Sequence, residues 1–333
     1  MIDQMYTMEP TEMPNPYYND TSWSFYYYYY YDDPPGSYYW PYIINSISFK
    51  GIAPLGLLLN VMFLFVVFRV RAMHTTANIH LSNLAVADIM YLALMEFRFV
   101  TGDGSFATLV VNYVAYMASM FFVTVVALGR AFAINYPFRA REVLSKSLAV
   151  KAAVVVWIIS LLASIGYNLL RVNLSDGDQH ALDIVHLCIN PTFLVLNIVL
   201  YTCMISGLLR SLGQMADSSV NQRRMVQMLT INTTVFFSFH IAVTTFNLYS
   251  RFNIVDPGVM NIGHSVIFML LTINSSVNPV VYSTTNADYR TAVVTAFCCR
   301  RCFWRRRRGS TTQTTNSYTA IRMTNLRVGT NAV

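Results

Sequence analysis

The chain reads as an all-α membrane protein: a seven-transmembrane helix bundle with a short C-terminal amphipathic surface helix. Three observations predict this. The 333 residues are 55% hydrophobic and only 12% charged, about half the charge of an ordinary soluble domain. Seven separate apolar stretches are each long enough to cross a bilayer, which takes about 20 residues. Charge is sorted along the chain. Residues 1–42 hold six acids (Asp3, Glu9, Glu12, Asp20, Asp32, Asp33) and no Lys or Arg, whereas beyond Tyr282 there are nine Arg and a single acid, Asp288.

The expected elements follow in order. Residues 1–42 form an acidic, tyrosine-rich tail, with Tyr26 to Tyr31 unbroken between prolines and acids, a composition that predicts disorder. No apolar run precedes about residue 43, so no cleavable signal peptide is expected, and the first helix would serve as signal anchor. The seven spans are 43–68, 77–99, 107–133, 148–170, 191–213, 225–250 and 259–283, the third, sixth and seventh interrupted by polar residues. Arg69, Arg71, Arg139, Arg141, Lys146, Arg210, Arg223 and Arg224 then fall in connections on one side, and Asp103, Asp176, Asp178, Asp183 and Asp256 on the other. Basic connections face the cytoplasm, so the N-terminus is expected outside and the bundle, 43–283, in the plasma membrane as a multi-pass protein. A surface helix is expected over 284–297, then a basic cytoplasmic tail, 298–333. Cys298, Cys299 and Cys302 beside Arg305 to Arg308 suit palmitoylation next to anionic lipid; a plain stop-transfer cluster with idle thiols is the alternative.

The last span carries the most informative motif, Asn274-Ser275-Ser276-Val277-Asn278-Pro279-Val280-Val281-Tyr282. Polar side chains at bilayer depth are costly and are kept where they have partners and work to do. Asn274 and Asn278 are four apart and share a face, and Pro279 deletes a backbone donor. Further signatures lie in order: Gly56-Leu57-Leu58-Leu59-Asn60, Asn83-Leu84-Ala85-Val86-Ala87-Asp88, Trp157, Tyr201 and Tyr289-Arg290. Over about residues 43–300 the chain resembles the rhodopsin-like (class A) G-protein-coupled receptors, of the peptide-receptor kind.

That resemblance implies an activation switch built from Asn60, Arg130, Tyr201, Phe236, His240, Pro279 and Tyr282. It implies a sodium site at Asp88, Ser119, Asn274, Ser275 and Asn278, all oxygen-bearing as a hard cation prefers. The alternative there is an ion-free polar core in which Asn60 joins Asp88 and Asn278. Departures from the family pattern are equally specific. The family writes Asp-Arg-Tyr where this chain has Gly129-Arg130-Ala131, and the helix-six acid is replaced by Gln222, so both usual counter-charges of the arginine are missing. Helix six has no proline. Aligning on Phe236 puts His240 at the family's tryptophan switch and Ala242 at its proline; a register shifted by four aligns Ser238-Phe239-His240 with Pro-Phe-His instead. The usual outer disulfide has no partner for Cys188, because Ser105 stands where the family has cysteine, so no disulfide is expected. Asn19 and Asn173 head plausible glycosylation sequons.

Candidate ligand contacts are Glu96, Arg98, Asn112, Tyr116, His240, Asn247, Arg251 and His264, for Glu96 and Arg98 with mutual or Asp103 pairing as the alternative. Asn112 occupies the acid position of amine receptors, which argues against an amine. The expected partners are an extracellular peptide, cationic to match the acidic arm, and a heterotrimeric G protein; no nucleic acid and no enzymatic activity are expected. A non-signalling decoy of the same fold and, more remotely, a channel or transporter remain as alternatives.

Overall fold

In a computed structural model, residues 39–101, 105–174, 176–212, 219–253 and 255–297 are described, and they are helical almost throughout. The membrane helices are α1 (Trp40–Arg69), α2 (Thr76–Thr101), α3 (Phe106–Asn135), α4 (Lys146–Asn173), α5 (Asp176–Leu212), α6 (Ser219–Phe252) and α7 (Pro257–Thr285), followed by a surface helix, α8 (Ala287–Phe297). A short helix, Pro137–Val143, links α3 to α4. By length and composition α1, α3, α4 and α7 qualify unaided as membrane spans among the described residues. The third and seventh spans are therefore apolar enough despite the polar residues that interrupt them.

Helix starts also move. The first helix begins at Trp40 rather than 43, since Trp40 and Tyr42 make good interfacial helix surface, and the sixth at Ser219 rather than 225. The fifth begins at Asp176 rather than 191. The acids and histidines of 176–190 look like loop by hydropathy, but a helix needs no apolar face once it has risen out of the hydrocarbon. Cys188 accordingly sits in α5, not in a loop, and is exposed; it and Cys203 are free thiols. Residues 1–38, with Asn19, and 298–333, with Cys298, Cys299 and Cys302, lie outside the described residues.

The helices form a ring, α1–α2–α4–α5–α6–α7 and back to α1, with α3 inside it against α2, α4, α5 and α6. This explains why α3 carries the longest run of buried residues, including Met117, Ala118, Ser119, Met120 and Phe122. Ser105 caps its start by accepting a hydrogen bond from the Thr108 amide (3.4 Å), so the position that might have held a cysteine starts the helix instead. Asp256 caps α7 in the same way, accepting from the amides of Gly258 (2.9 Å) and Val259 (3.3 Å), with Pro257 in the first turn. At the other end of α7, Arg290 donates to the carbonyls of Thr284 (2.8 Å) and Ser283 (3.3 Å), and Asn286 starts α8 by accepting from the amides of Asp288 and Tyr289. Tyr289, Ala292 and Ala296 are the buried face of α8, with Tyr289 5.5 Å from Phe63 between ring centres.

Close approach of α1 to α7 depends on Gly56. A side chain there would run into the Ser276 side chain and into Leu92 Cδ1. Gly56→Val should therefore destabilise the bundle by about 1–3 kcal/mol, read as a lower thermal midpoint in detergent. Trimming the obstacle with Ser276→Gly should recover part of that loss in the double variant. A Gly56→Val protein that melts with the parent would show that the two helices have slack at this point.

Candidate functional site

Proline 279 sets the geometry of the centre. Without an N–H it cannot bond the carbonyl of Ser275, one turn earlier in α7. That orphaned carbonyl takes a hydrogen bond from Asn60 Nδ2 of α1 at 2.9 Å. The same Nδ2 also donates to Gly56 O at 2.9 Å, so one amide ties its own helix to the broken turn of α7. Asn60 is completely buried, and its Oδ1 has no hydrogen-bond partner among the described residues. The alternative reading, in which Asn60 joins Asp88 and Asn278 directly, is thus corrected: its donor is taken by the Gly56 and Ser275 carbonyls, because the proline leaves a need there.

Asp88 of α2 is 1% exposed. Asn278 Nδ2 donates to its Oδ2 at 2.7 Å and Ser119 Oγ to its Oδ1 at 3.2 Å, with the Ser275 hydroxyl a third donor. Both carboxylate oxygens are thereby held by polar groups from α3 and α7, the arrangement a buried charge requires. Asn274 is buried beside them but takes no part in these bonds. Tyr282, one turn further along α7, has a fully buried hydroxyl without a hydrogen-bond partner among the described residues. Asp88, Tyr201 and Tyr289 are its electrostatic neighbours. Tyr201 and Tyr282 belong to the same packed core as Phe236 and Phe237.

Arg130 stands at the end of α3 with its Nε buried and unbonded. No ion pair forms to it among the described residues; the side chain of Gln222 lies outside them. Adjacent Gly129 faces open space, with nothing within 4 Å of where its Cβ would be. Nearby, Asn135 Nδ2 bridges α3 to α5 by donating to Ala131 O (2.9 Å) and Cys203 O (3.1 Å). Gly207 makes room for it, since a Cβ there would lie 2.7 Å from Asn135 Oδ1.

Toward the Ser105 end, His240 of α6 is 2% exposed and sandwiched. Its ring stacks on Phe236 (4.2 Å between centres, 18°) and on Tyr116 of α3 (5.5 Å, 26°), and its Nδ1 is 2.9 Å from Phe236 O. Phe236 and His240 thus face the bundle while Ser238 and Ala242 face outward, which suits the register that places His240 at the switch. Of the other proposed ligand contacts, Asn112 is buried with Oδ1 unbonded among the described residues, Glu96 is partly buried with Oε2 unbonded, and His264 packs edge-on against Phe246 (5.6 Å). Arg98 and Asn247 are partly exposed on α2 and α6, and the Arg251 side chain lies outside the described residues. Asn173, the last residue of α4, is exposed. Among the described residues no group of three His, Cys, Asp or Glu could hold a metal ion.

Sequence reasoning missed several links. Trp157 Nε1 donates to Asn83 Oδ1 at 2.9 Å, joining α4 to α2. Asn197 Nδ2 donates to Thr124 Oγ1 at 2.9 Å, joining α5 to α3. Tyr113 stacks on Tyr167 (4.7 Å, 6°), whose hydroxyl accepts from Arg171 (2.9 Å). An amide inside an otherwise apolar stretch is the signal that marks Asn197; for the tyrosine stack the sequence carries none.

The chain is similar to known proteins. Residues 59–282 match the family described as 7 transmembrane receptor (rhodopsin family). Galanin receptor 2b of Danio rerio is 26% identical over 77% of this chain and 75% of its own length. G-protein coupled receptor 68 of Mus musculus is 24% identical over 67% and 70%. Growth hormone secretagogue receptor type 1 of Mus musculus is 24% identical over 70% and 75%.

Asn278→Leu should remove a charge-assisted donor from a buried carboxylate, at a cost of about 1.5–3 kcal/mol, seen as a lower thermal midpoint. In an Asp88→Asn background the same substitution should cost much less. Equal losses in the two backgrounds would mean that the Asn278–Asp88 bond contributes nothing specific.

Proposed function

Because the chain belongs to the rhodopsin family of seven-transmembrane receptors, we propose that it is a plasma-membrane receptor for an extracellular peptide and acts as a nucleotide-exchange catalyst on a heterotrimeric G protein. The N-terminus is outside and the Arg130 end is in the cytoplasm, as the charge asymmetry of the connections favours. The signalling part rests chiefly on Arg130: a half-buried side chain whose Nε is unbonded among the described residues, near the cytoplasmic end of α3, on the helix turn of Ala127 and Ala131, which share a core with Tyr201 and Tyr282. Ligand contact at Tyr116 and His240 shifts the Phe236 stack, α6 swings outward, and a cleft opens under Arg130. A peptide ligand is supported by relatives named as receptors for galanin and for a growth hormone secretagogue and by the short connection between α5 and α6. The six acids of residues 1–42 favour a cationic one. Exchange of guanine nucleotide on added G protein, screened with cationic peptides, tests the reading. Binding without exchange would favour the second reading, a decoy receptor, which the loss of the acid at Gly129 motivates.

Asp88, Ser119, Asn274, Ser275 and Asn278 fit a sodium ion of the resting state. The two Asp88 oxygens, two hydroxyls and two amide oxygens make a hard donor set, and the unbonded Asn60 Oδ1 and Tyr282 hydroxyl leave polar capacity nearby for its water. By linkage, an ion that prefers rest must oppose a ligand that prefers activity.

Two outcomes are expected. Gly129→Asp, for which the structure leaves space, should give Arg130 a partner and lower ligand-independent exchange several-fold, since a hydrogen bond to a charged group is worth about 1.5–3 kcal/mol; unchanged basal exchange at equal surface expression would rule this out. Replacing sodium by a large organic cation should raise agonist affinity by about fivefold or more, and Asp88→Asn should remove the difference. Agonist affinity indifferent to sodium in the parent would exclude the ion.

A further inference from the structure

One lysine has no place in the receptor mechanism. Lys50 lies within α1, ten residues from its start, in a π-helical turn spanning Ser48–Ile52. Such turns are rare and concentrate at functional positions. The side chain is exposed on the outside of the ring. It reaches back two turns toward the helix start, its Nζ 6.0 Å from the Tyr42 ring centre, as a lysine does when its stem is in hydrocarbon and its head seeks the interface. No carboxylate among the described residues pairs with it.

Below Lys50 opens an apolar groove of about 620 Å³ between α1 and α7. Leu55 and Leu59 form one wall and Ile273, Val277 and Val280 the other. Gly51 leaves the upper wall open, with nothing within 4 Å of its missing Cβ. At the mouth, beside Lys50, Ser46 carries a buried hydroxyl with no hydrogen-bond partner among the described residues. From Ser46 to Leu59 the groove runs about 20 Å along the helix axis, comparable with the ~15 Å of hydrocarbon that one leaflet contributes.

We propose that this groove is a binding site for one glycerophospholipid of the leaflet at the Tyr39 end, with an acyl chain between α1 and α7 and the phosphate on Lys50. The charge decides the occupant. An ammonium at the mouth of an apolar slot takes an anionic oxygen group. A sterol would leave the lysine unneutralised. Ser276 also lines the groove, next to Ser275 in α7, so the lipid braces the same seam that Asn60 ties.

The test uses the full-length receptor in detergent, titrated separately with phosphatidylglycerol, phosphatidylcholine, palmitate and cholesterol and read by native mass spectrometry. One phospholipid of either headgroup should be retained per receptor. Lys50→Gln should lower that retention at least tenfold while Lys50→Arg preserves it. Leu59→Trp, which fills the groove and leaves the lysine in place, should abolish it, and in lipid-free detergent all three variants should melt close to the parent because Lys50 is exposed and Leu59 half-exposed on the outside of the ring. Retention that is indifferent to Lys50→Gln or to Leu59→Trp overturns the proposal, as does preferential retention of palmitate or cholesterol.

Discussion

The hydrogen bond from Asn60 to the Ser275 carbonyl is the constraint on which the rest of the bundle turns. Pro279 breaks the backbone ladder of α7 inside the bilayer, where no water is at hand to repair it. The repair comes from another helix, and only a side chain with a free N–H, at that height of α1 and at backbone-contact distance, can make it. Gly56 supplies the distance. The break in turn frees α7 to present Asn278 and Ser275 to Asp88. A single missing N–H thus fixes which faces of α1, α2 and α7 meet.

Around this knot the ring is tied by single amides rather than by charge. Asn83 links α2 to α4 through Trp157, Asn197 links α5 to α3, and Asn135 repeats the α5–α3 link one end lower. Interhelical hydrogen bonds in membranes contribute only about 0.6–2 kcal/mol each. Held by many such bonds and by van der Waals packing, the helices keep their neighbours and can still slide or rotate by small steps. Among the described residues unbonded buried polar atoms are spread through the bundle, from Glu96 and Asn112 through Asn60 and Asn197 to Tyr282 and Arg130, so no level of it is fully locked.

The elements that could be read in advance are those where a residue type violates its surroundings. Asp88, Asn274, Asn278 and Pro279 are conspicuous because hydrocarbon penalises them, and the structure gathers Asp88, Ser119, Ser275 and Asn278 within hydrogen-bond reach. The partner of Asn60 was not readable, because a backbone carbonyl orphaned by a proline four residues on has no side-chain signature. The beginning of α5 was misplaced for a complementary reason. Hydropathy reports what suits lipid, and Asp176 to Asn190 form helix although their composition is polar. The aromatic stacks His240–Tyr116 and Tyr113–Tyr167 depend on which helix stands beside which, information that no single span contains.

The reach of α5 bears on the opening opposite Arg130. Its 37 residues extend about 55 Å, well beyond the ~30 Å hydrocarbon core. The connections at that end are only 102–105, 174–175 and 253–256, each too short to fold across the bundle. The opening is therefore bordered by a tall helical post, and among the described residues no loop between helices roofs it. For the ligand proposed above, residence would then be set at the floor, where the rings of Tyr116 and His240 stack, rather than by a lid.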